Sequence, residues 1–409
     1  MKFPIGFWNY PSIRTMTTEE VSLWADCGIT LNMSPSYSDD PADHAAVRDM
    51  LDECKNYGMQ LILQDQRTLW TGAAADPAGY RARFQQAYDE FGHHPSVFGF
   101  FTGDEPSGSA LEDSCTALKI QQQLAPELTG LLNFLPYWKG MEQTHLGGKS
   151  FEDWALDFIS RSGSKLLCYD CYSQLNPEEE GTHTYFRNLN KFSTVARQSG
   201  IPIWTTLLSV GHFRYRVPTE DDLRWQVSTA AAAGGRGILW FTFYGNGYRN
   251  YRGEPINEYG EKTPTYYALR HVLRRFQDEH GQLLMDLRFE SAYHVYKAYG
   301  DYPLFAERET HPVLRRITSE HQVPAMVSFF TDPTGREYVV LVNNSPFESD
   351  LFKLWLDPGV RIYNLRQNGA ERRDMALWHH DAYWYESPEE KRAGVWLAPG
   401  QMEIFCIES

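Results

Sequence analysis

Apolar and polar positions along the first two thirds of the chain follow one repeating pattern. A short apolar run is followed by a stretch with helical spacing, eight times over. The runs are KFPIGFW, ITLNMS, MQLILQD, VFGFFTGDE, LTGLLNFLP, KLLCYDCY, IPIWTTLLS and GILWFTFY. The intervening stretches carry helix start and stop signals. Thr17 with Glu20 makes a capping-box pattern before a helix over 18–27, which Gly28 ends. Asp40-Pro41 and Asp76-Pro77 open the next two helices, which Gly58 and Gly92 close. Further helices are expected over 109–124, 151–161 and 185–199, after Thr219, and in TPTYYALRHVLRRFQDEHG.

Eight strand–helix units in this length predict a (β/α)8 TIM barrel, an α/β fold, over residues 1–284. A doubly wound open sheet is the alternative, but it needs a glycine-rich phosphate turn after the first strand, and GFWNYPSIRT is not one. Helical spacing then stops. Residues 285–314 are expected as a connection, and 315–409 as a small C-terminal antiparallel domain, β-sandwich-like. Its signals are the alternating segments AMVSFFTD, EYVVLVNNS, DLFKLWL and GVWLAPGQMEIFCIE, with DPTG as a hairpin turn.

Composition narrows the function. A net charge of −15 argues against a nucleic-acid partner. No apolar run reaches the roughly 18–20 residues of a membrane span. The chain enters strand-like sequence with no leader pattern, so a cytoplasmic protein is expected unless a leader has been removed. The six cysteines form no disulfide framework. Cys168 and Cys171 form a C-x-x-C in a strand, where residues three apart face opposite sides, so no metal or redox role is assigned to them. Aromatic residues make up 14% of the chain, in excess of ordinary core needs, which fits platforms for sugar rings.

In such a barrel the site lies where strands end. The strand tips offer Trp8 and Asn9, Asn32 and Ser34, then Gln64, Asp65 and Arg67 with Trp70 just beyond. The next are Asp104 and Glu105, Asn133 with Tyr137 and Trp138 close by, Asp170 and Tyr172, Ser209 and His212, and Trp240 and Tyr244. No lysine stands at a tip, against Schiff-base chemistry, and no histidine pair has metal-ligand spacing, so neither a metal nor a cofactor is expected. Two carboxyl groups amid amides and aromatics are what cleavage of a glycosidic bond needs, one protonated and one ionised. Glu105, following inward positions 99, 101 and 103, is the expected proton donor, with Asp104 tuning it or holding a sugar hydroxyl. Asp170, on one strand face with Cys168 and Tyr172, is the expected nucleophile or base. Trp8, Asn32, Asp65, Arg67, Trp70, Asn133, Tyr172, His212, Trp240 and Tyr244 are the expected substrate contacts. Glu254 and Glu258 are held in reserve as second carboxylates.

These motifs resemble a glycoside hydrolase. GDEP at the fourth strand resembles the acid/base position of the large clan of barrel glycosidases whose fourth strand ends in Asn-Glu-Pro or Asp-Glu-Pro, which implies Glu105 as donor. GILWFTFY, INEYGEKTPTYYALRHV and YVVLVNNS with LAPGQMEIFCI also look like barrel glycosidases with a β-sandwich tail. The resemblance implies an O-glycosyl hydrolase of carbohydrate metabolism or polysaccharide degradation, with a carbohydrate substrate. That clan places a nucleophilic glutamate at the end of strand seven, and IPIWTTLLSVGH has no acid there. Either Asp170 replaces it, or the adjacent Asp-Glu pair works as in hexosaminidases, with Asp104 orienting the substrate's acetamide. Two other readings stay open: a carbohydrate-binding barrel without catalysis, and a lyase or isomerase of acidic sugars using Arg67, Arg214 and Arg216.

Overall fold

The computed structural model describes residues 2–176, 179–245, 247, 250–376 and 384–408. Eight parallel strands form one sheet: β1 (Ile5–Phe7), β2 (Leu31–Met33), β3 (Gln60–Leu63), β4 (Val97–Asp104), β5 (Thr129–Phe134), β6 (Leu167–Asp170), β7 (Ile203–Leu208) and β8 (Gly237–Phe241). They pair in the order β1-β8-β7-β6-β5-β4-β3-β2. One principal helix follows each: α1 (Glu19–Cys27), α2 (Pro41–Asn56), α3 (Pro77–Ala87), α4 (Ala110–Leu124), α5 (Phe151–Ser162), α6 (Glu179–Ser199), α7 (Glu220–Ala232) and α8 (Pro264–Phe276). This is the expected (β/α)8 barrel. Its interior is a packed core that includes Trp8, Leu31, Met33, Ile62, Leu131, Cys168, Trp204 and Leu239.

β1 and β2 are not joined by a regular ladder, and side chains close the seam between them. Thr30 Oγ1 accepts from Ile5 N at 3.0 Å, and Asn32 Oδ1 accepts from Phe7 N at 2.9 Å. Gly6 lets the two backbones approach, since a Cβ there would stand 2.1 Å from the Leu31 carbonyl oxygen. Gly6→Ala is therefore expected to force the seam open and lower unfolding stability by about 1–3 kcal/mol, read by urea denaturation.

The helix signals act where they were expected, with two exceptions. Asp40 and Asp76 cap α2 and α3 by accepting from Ala42 N and Gly79 N, and Thr219 with Asp222 forms a capping box on α7. The Thr17–Glu20 box does not form, because Thr18 is the N-cap and the Glu20 carboxylate accepts from the Tyr244 hydroxyl at 2.5 Å. A tertiary partner has outcompeted the local one. The sixth helix starts at Glu179 rather than Tyr185.

The C-terminal region is a two-sheet sandwich. One sheet orders β10 (Leu314–Ser319), β13 (Asp350–Leu356), β17 (Lys391–Leu397) and β16 (Tyr385–Glu386). The other orders β15 (Glu371–Asp374), β14 (Arg361–Arg366), β18 (Met402–Glu408), β12 (Glu337–Asn343), β11 (Ala325–Thr331) and β9 (Arg288–Val295). β9 lies inside the expected connection and pairs antiparallel with β11, so the sheet starts earlier than its sequence signal. Alternation sorts the two faces of the six-stranded sheet. Val339, Leu341, Phe405 and Ile407 fill the sandwich core, whereas Val340, Val342, Ile404 and Cys406 join the core that covers the barrel's outer surface. Trp225 of α7 anchors the contact, donating to Asn344 Oδ1 at 2.9 Å. No helix among the described residues is long and apolar enough to cross a membrane.

Candidate active site

Strand β4 carries the acids, and its register decides which of them enters the barrel. The ladder slips on both sides of the strand, between Leu61 and Ile62 of β3 and between Phe101 and Gly103 against β5. Each bulge resets the alternation of side chains. The inward positions are consequently Phe98, which stacks on Trp204, then Phe101, which meets the edge of Trp8, then Asp104. Of the expected positions 99, 101 and 103 only 101 points inward, and the alternation expected to lead to Glu105 delivers Asp104. Gly103 instead makes room for Trp70, whose ring would lie 2.2 Å from a Cβ there. Glu105 follows in a left-handed backbone conformation (φ 48°), its N–H donating to the Asn133 carbonyl at 2.8 Å.

Asn133 joins two of the acids. Its Nδ2 donates to Asp104 Oδ1 at 2.9 Å and to Asp170 Oδ1 at 2.8 Å. The two accepting oxygens are thus closer together than these two bonds laid end to end. The inward face of β6 presents Asp170 above Cys168, with the Tyr172 phenol close enough to favour its ionised form. Burial pushes the Asp170 carboxyl up to about 7, the Glu105 charge adds to the rise, and the Asn133 hydrogen bond opposes it. Asp104 and Glu105 are reached by solvent, yet the protein around the mouth still raises both. For Glu105 burial leads and the Asp104 charge follows; for Asp104 burial acts against the hydrogen bond from Asn133. Among the described residues, no cation contributes to either shift. Three carboxyl groups this close titrate as a set. Asn133→Ala is expected to raise the Asp170 pKa further, moving the pH at which that carboxyl ionises upward, as read from its titration by NMR.

Aromatic rings wall the mouth beside the acids. Tyr10, 51% exposed, lies nearly parallel to Trp8 at 6.3 Å and meets Phe241 edge-on at 5.9 Å. Its phenol is held neutral by burial and by the charges of Asp104, Asp170 and Glu105. Trp8 itself is buried and donates through Nε1 to Thr206 Oγ1 at 3.2 Å. Phe241 touches Tyr172 and His212, and His212 touches Tyr215 and stacks on Tyr251 at 5.2 Å. Burial pulls the His212 pKa down to about 4, so the imidazole is neutral near pH 7. Tyr10 and Phe241 were missed in the sequence, although both keep the parity of inward neighbours two residues earlier, Trp8 and Leu239.

The remaining expected contacts lie elsewhere. Asn32 is spent on the barrel seam. Asp65 is buried and accepts from Tyr37, from the Arg67 backbone and from its guanidinium, which also reaches Glu90 Oε2 at 3.0 Å. This pair ties a loop to the helical layer. Trp240 has the opposite parity to Leu239 and Phe241, and is fully buried among the barrel's outer helices. Tyr244 is held on α1 by Glu20 and Trp24. Glu254 is buried on the loop after β8 with its pKa raised, while Glu258 is exposed. Arg216 pairs with Asp222 of α7. Among the described residues, no three His, Cys, Asp or Glu side chains form a group that could hold a metal ion.

No protein-family model matches the chain, and neither does any curated protein. Solved structures do match, several glycoside hydrolases among them. The chain aligns over 99% of its length with 98% of a catalytic mutant of a family 42 β-galactosidase from G. stearothermophilus, at TM-score 0.64 and 8% identity. It aligns over 99% of its length with 89% of a family 5 glycoside hydrolase from Bacteroides vulgatus, at TM-score 0.57 and 10% identity. A β-galactosidase from the psychrophilic Marinomonas ef1 matches 70% of the chain at TM-score 0.52 and 10% identity, and the chain spans 62% of that protein's length. The fold is that of barrel glycosidases carrying a β-sandwich-like C-terminal region. At such identities the likeness is one of fold.

Proposed function

We propose that this protein is a glycosidase that hydrolyses a bond in a neutral oligo- or polysaccharide, with Glu105 and Asp170 as its catalytic pair. The observation that carries the reading is the convergence of Asp104, Glu105 and Asp170 at one barrel mouth, beside exposed aromatic faces, with no cation among the described residues acting on Asp104 or Glu105. Glu105 gives its proton to the leaving glycosidic oxygen. Ionised Asp170 either attacks the anomeric carbon or takes a proton from the attacking water. Asp104, held by Asn133, accepts from a sugar hydroxyl. The missing strand-seven acid is then supplied from β6.

One observation favours exchanged roles for the pair. Asp170 is pushed to about 7, so below that pH the resting site holds its proton there. In that second reading Asp170 donates and Glu105 is the carboxylate. The test is turnover of aryl α- and β-glycosides, including N-acetylhexosaminides and uronides. Turnover of neutral members, and poor turnover of uronides repelled by three carboxyls, is expected. An inactive enzyme across aryl and natural neutral glycosides would overturn the proposal.

A further inference from the structure

Resting on the glycosidase reading, we infer that Phe213 is a specificity-determining platform, and that the substrate is an oligosaccharide reaching past the acids to the loop after β7. Phe213 is 57% exposed, and a lone exposed aromatic would be unremarked. This one is built into position. Its backbone is left-handed (φ 47°), a conformation a bulky residue adopts only where the surroundings impose it.

The surroundings do impose it. Asn250 clamps the residue from the loop after β8, accepting from Phe213 N at 2.9 Å and donating to Phe213 O at 2.9 Å. Gly211 and Arg252 add two reciprocal backbone hydrogen bonds at 2.9 and 3.0 Å, zipping the two loops together. Gly211 suits this packing, since a Cβ there would stand 2.9 Å from Val217 of its own loop and 3.2 Å from the Arg252 side chain across the pair. Two loops of the barrel's functional face thus spend four hydrogen bonds holding one phenyl ring out toward solvent.

The ring is also continuous with the site. Phe213 lies 5.0 Å from His212, His212 lies 5.0 Å from Phe241, and Phe241 lies 5.9 Å from Tyr10, whose phenol feels all three acids. Tyr10 and Phe213 are the exposed ends of this strip, and the rings between them are buried or half-buried. Flat apolar faces with wet edges suit the C–H faces of pyranose rings. Neutral His212 leaves the strip without charge. A single sugar over the acids would meet Tyr10 and leave Phe213 idle, so its use requires further units.

The experiment uses β-1,4-linked gluco-, manno- and galacto-oligosaccharides of two to four units. Calorimetric titration into the Glu105→Gln protein reads binding without turnover, and kcat/KM is measured on the active enzyme. For at least one series, affinity and kcat/KM should rise about 10-fold or more with chain length. Phe213→Ala should flatten that rise, and Phe213→Tyr should restore it. An exposed residue makes a folding failure improbable as a cause, and circular dichroism of both variants checks it. A length profile unchanged in Phe213→Ala, or no series bound at all, overturns the inference. Length-dependent binding lost in Phe213→Ala, with no glycoside turned over by the wild type, would uphold the platform and reject the glycosidase reading alone.

Discussion

Replacing Glu105 by glutamine should lower kcat by about 10²–10⁴-fold on glycosides with poor leaving groups, the usual contribution of a positioned general acid. Glutamine keeps the shape and the hydrogen-bonding reach of the side chain but cannot release a proton. The loss should be much smaller on an aryl glycoside whose leaving group departs unaided, because the step then no longer depends on protonation. Affinity for substrate should change little. A uniform loss across leaving groups would point instead to a carboxylate role for Glu105, as in the exchanged reading. Full activity in the variant would remove Glu105 from the chemistry. Stability should not fall, since Glu105 is exposed and its raised pKa reflects a charge carried at some cost.

Asp170→Asn should have the larger effect, a loss of about 10³-fold or more in kcat on every glycoside, good leaving groups included. A nucleophile or base is needed whatever departs, and an amide supplies neither. The pH dependence fixes the sign. A group acting as nucleophile or base works only when ionised, so activity should rise as pH climbs through about 7, the pKa to which burial and the neighbouring carboxylates push Asp170. If Asp170 is the donor, activity should instead fall across the same range. A kcat/KM profile from pH 5 to 9 separates the two. Because the Glu105 charge raises Asp170, Glu105→Gln should move this rise to lower pH, and the same profile in that variant's residual activity would show it. A flat profile with an active Asp170→Asn variant would end this residue's candidacy.

The Asp104–Asn133–Asp170 bridge explains why the acids can coexist. Each carboxyl receives a hydrogen bond from the same amide nitrogen, so Asp170, the more enclosed of the two, is not left bare. The bridge also couples them: ionising one raises the cost of ionising the other, which is part of why Asp170 stands near 7.

The chain's own pattern was sufficient for the eight strands, their helices and a β-rich end, because these follow from local signals: apolar runs, capping residues and glycine stops, each acting within a few residues. It was also enough to bring Asp104, Glu105, Asn133, Asp170 and Tyr172 together on paper, since all the strand ends of a barrel meet at one face. It could not say which side chains point inward. Two bulges in β4 put Asp104 in line with the strand's inward side chains, with Glu105 following at the mouth, and Trp240 faces the helices while Phe241 faces the site. A bulge arises from how neighbouring strands fit, and leaves no reliable mark in the sequence of its own strand. Asn32, Asp65 and Arg67 looked like site residues because they are polar at strand ends. The tertiary structure employed them in the seam and in a buried ion pair. Phe213 gained its position only from Asn250, across a pairing of two loops. Composition and spacing determine what elements form; the register and the contacts between distant segments decide which of their side chains meet a substrate.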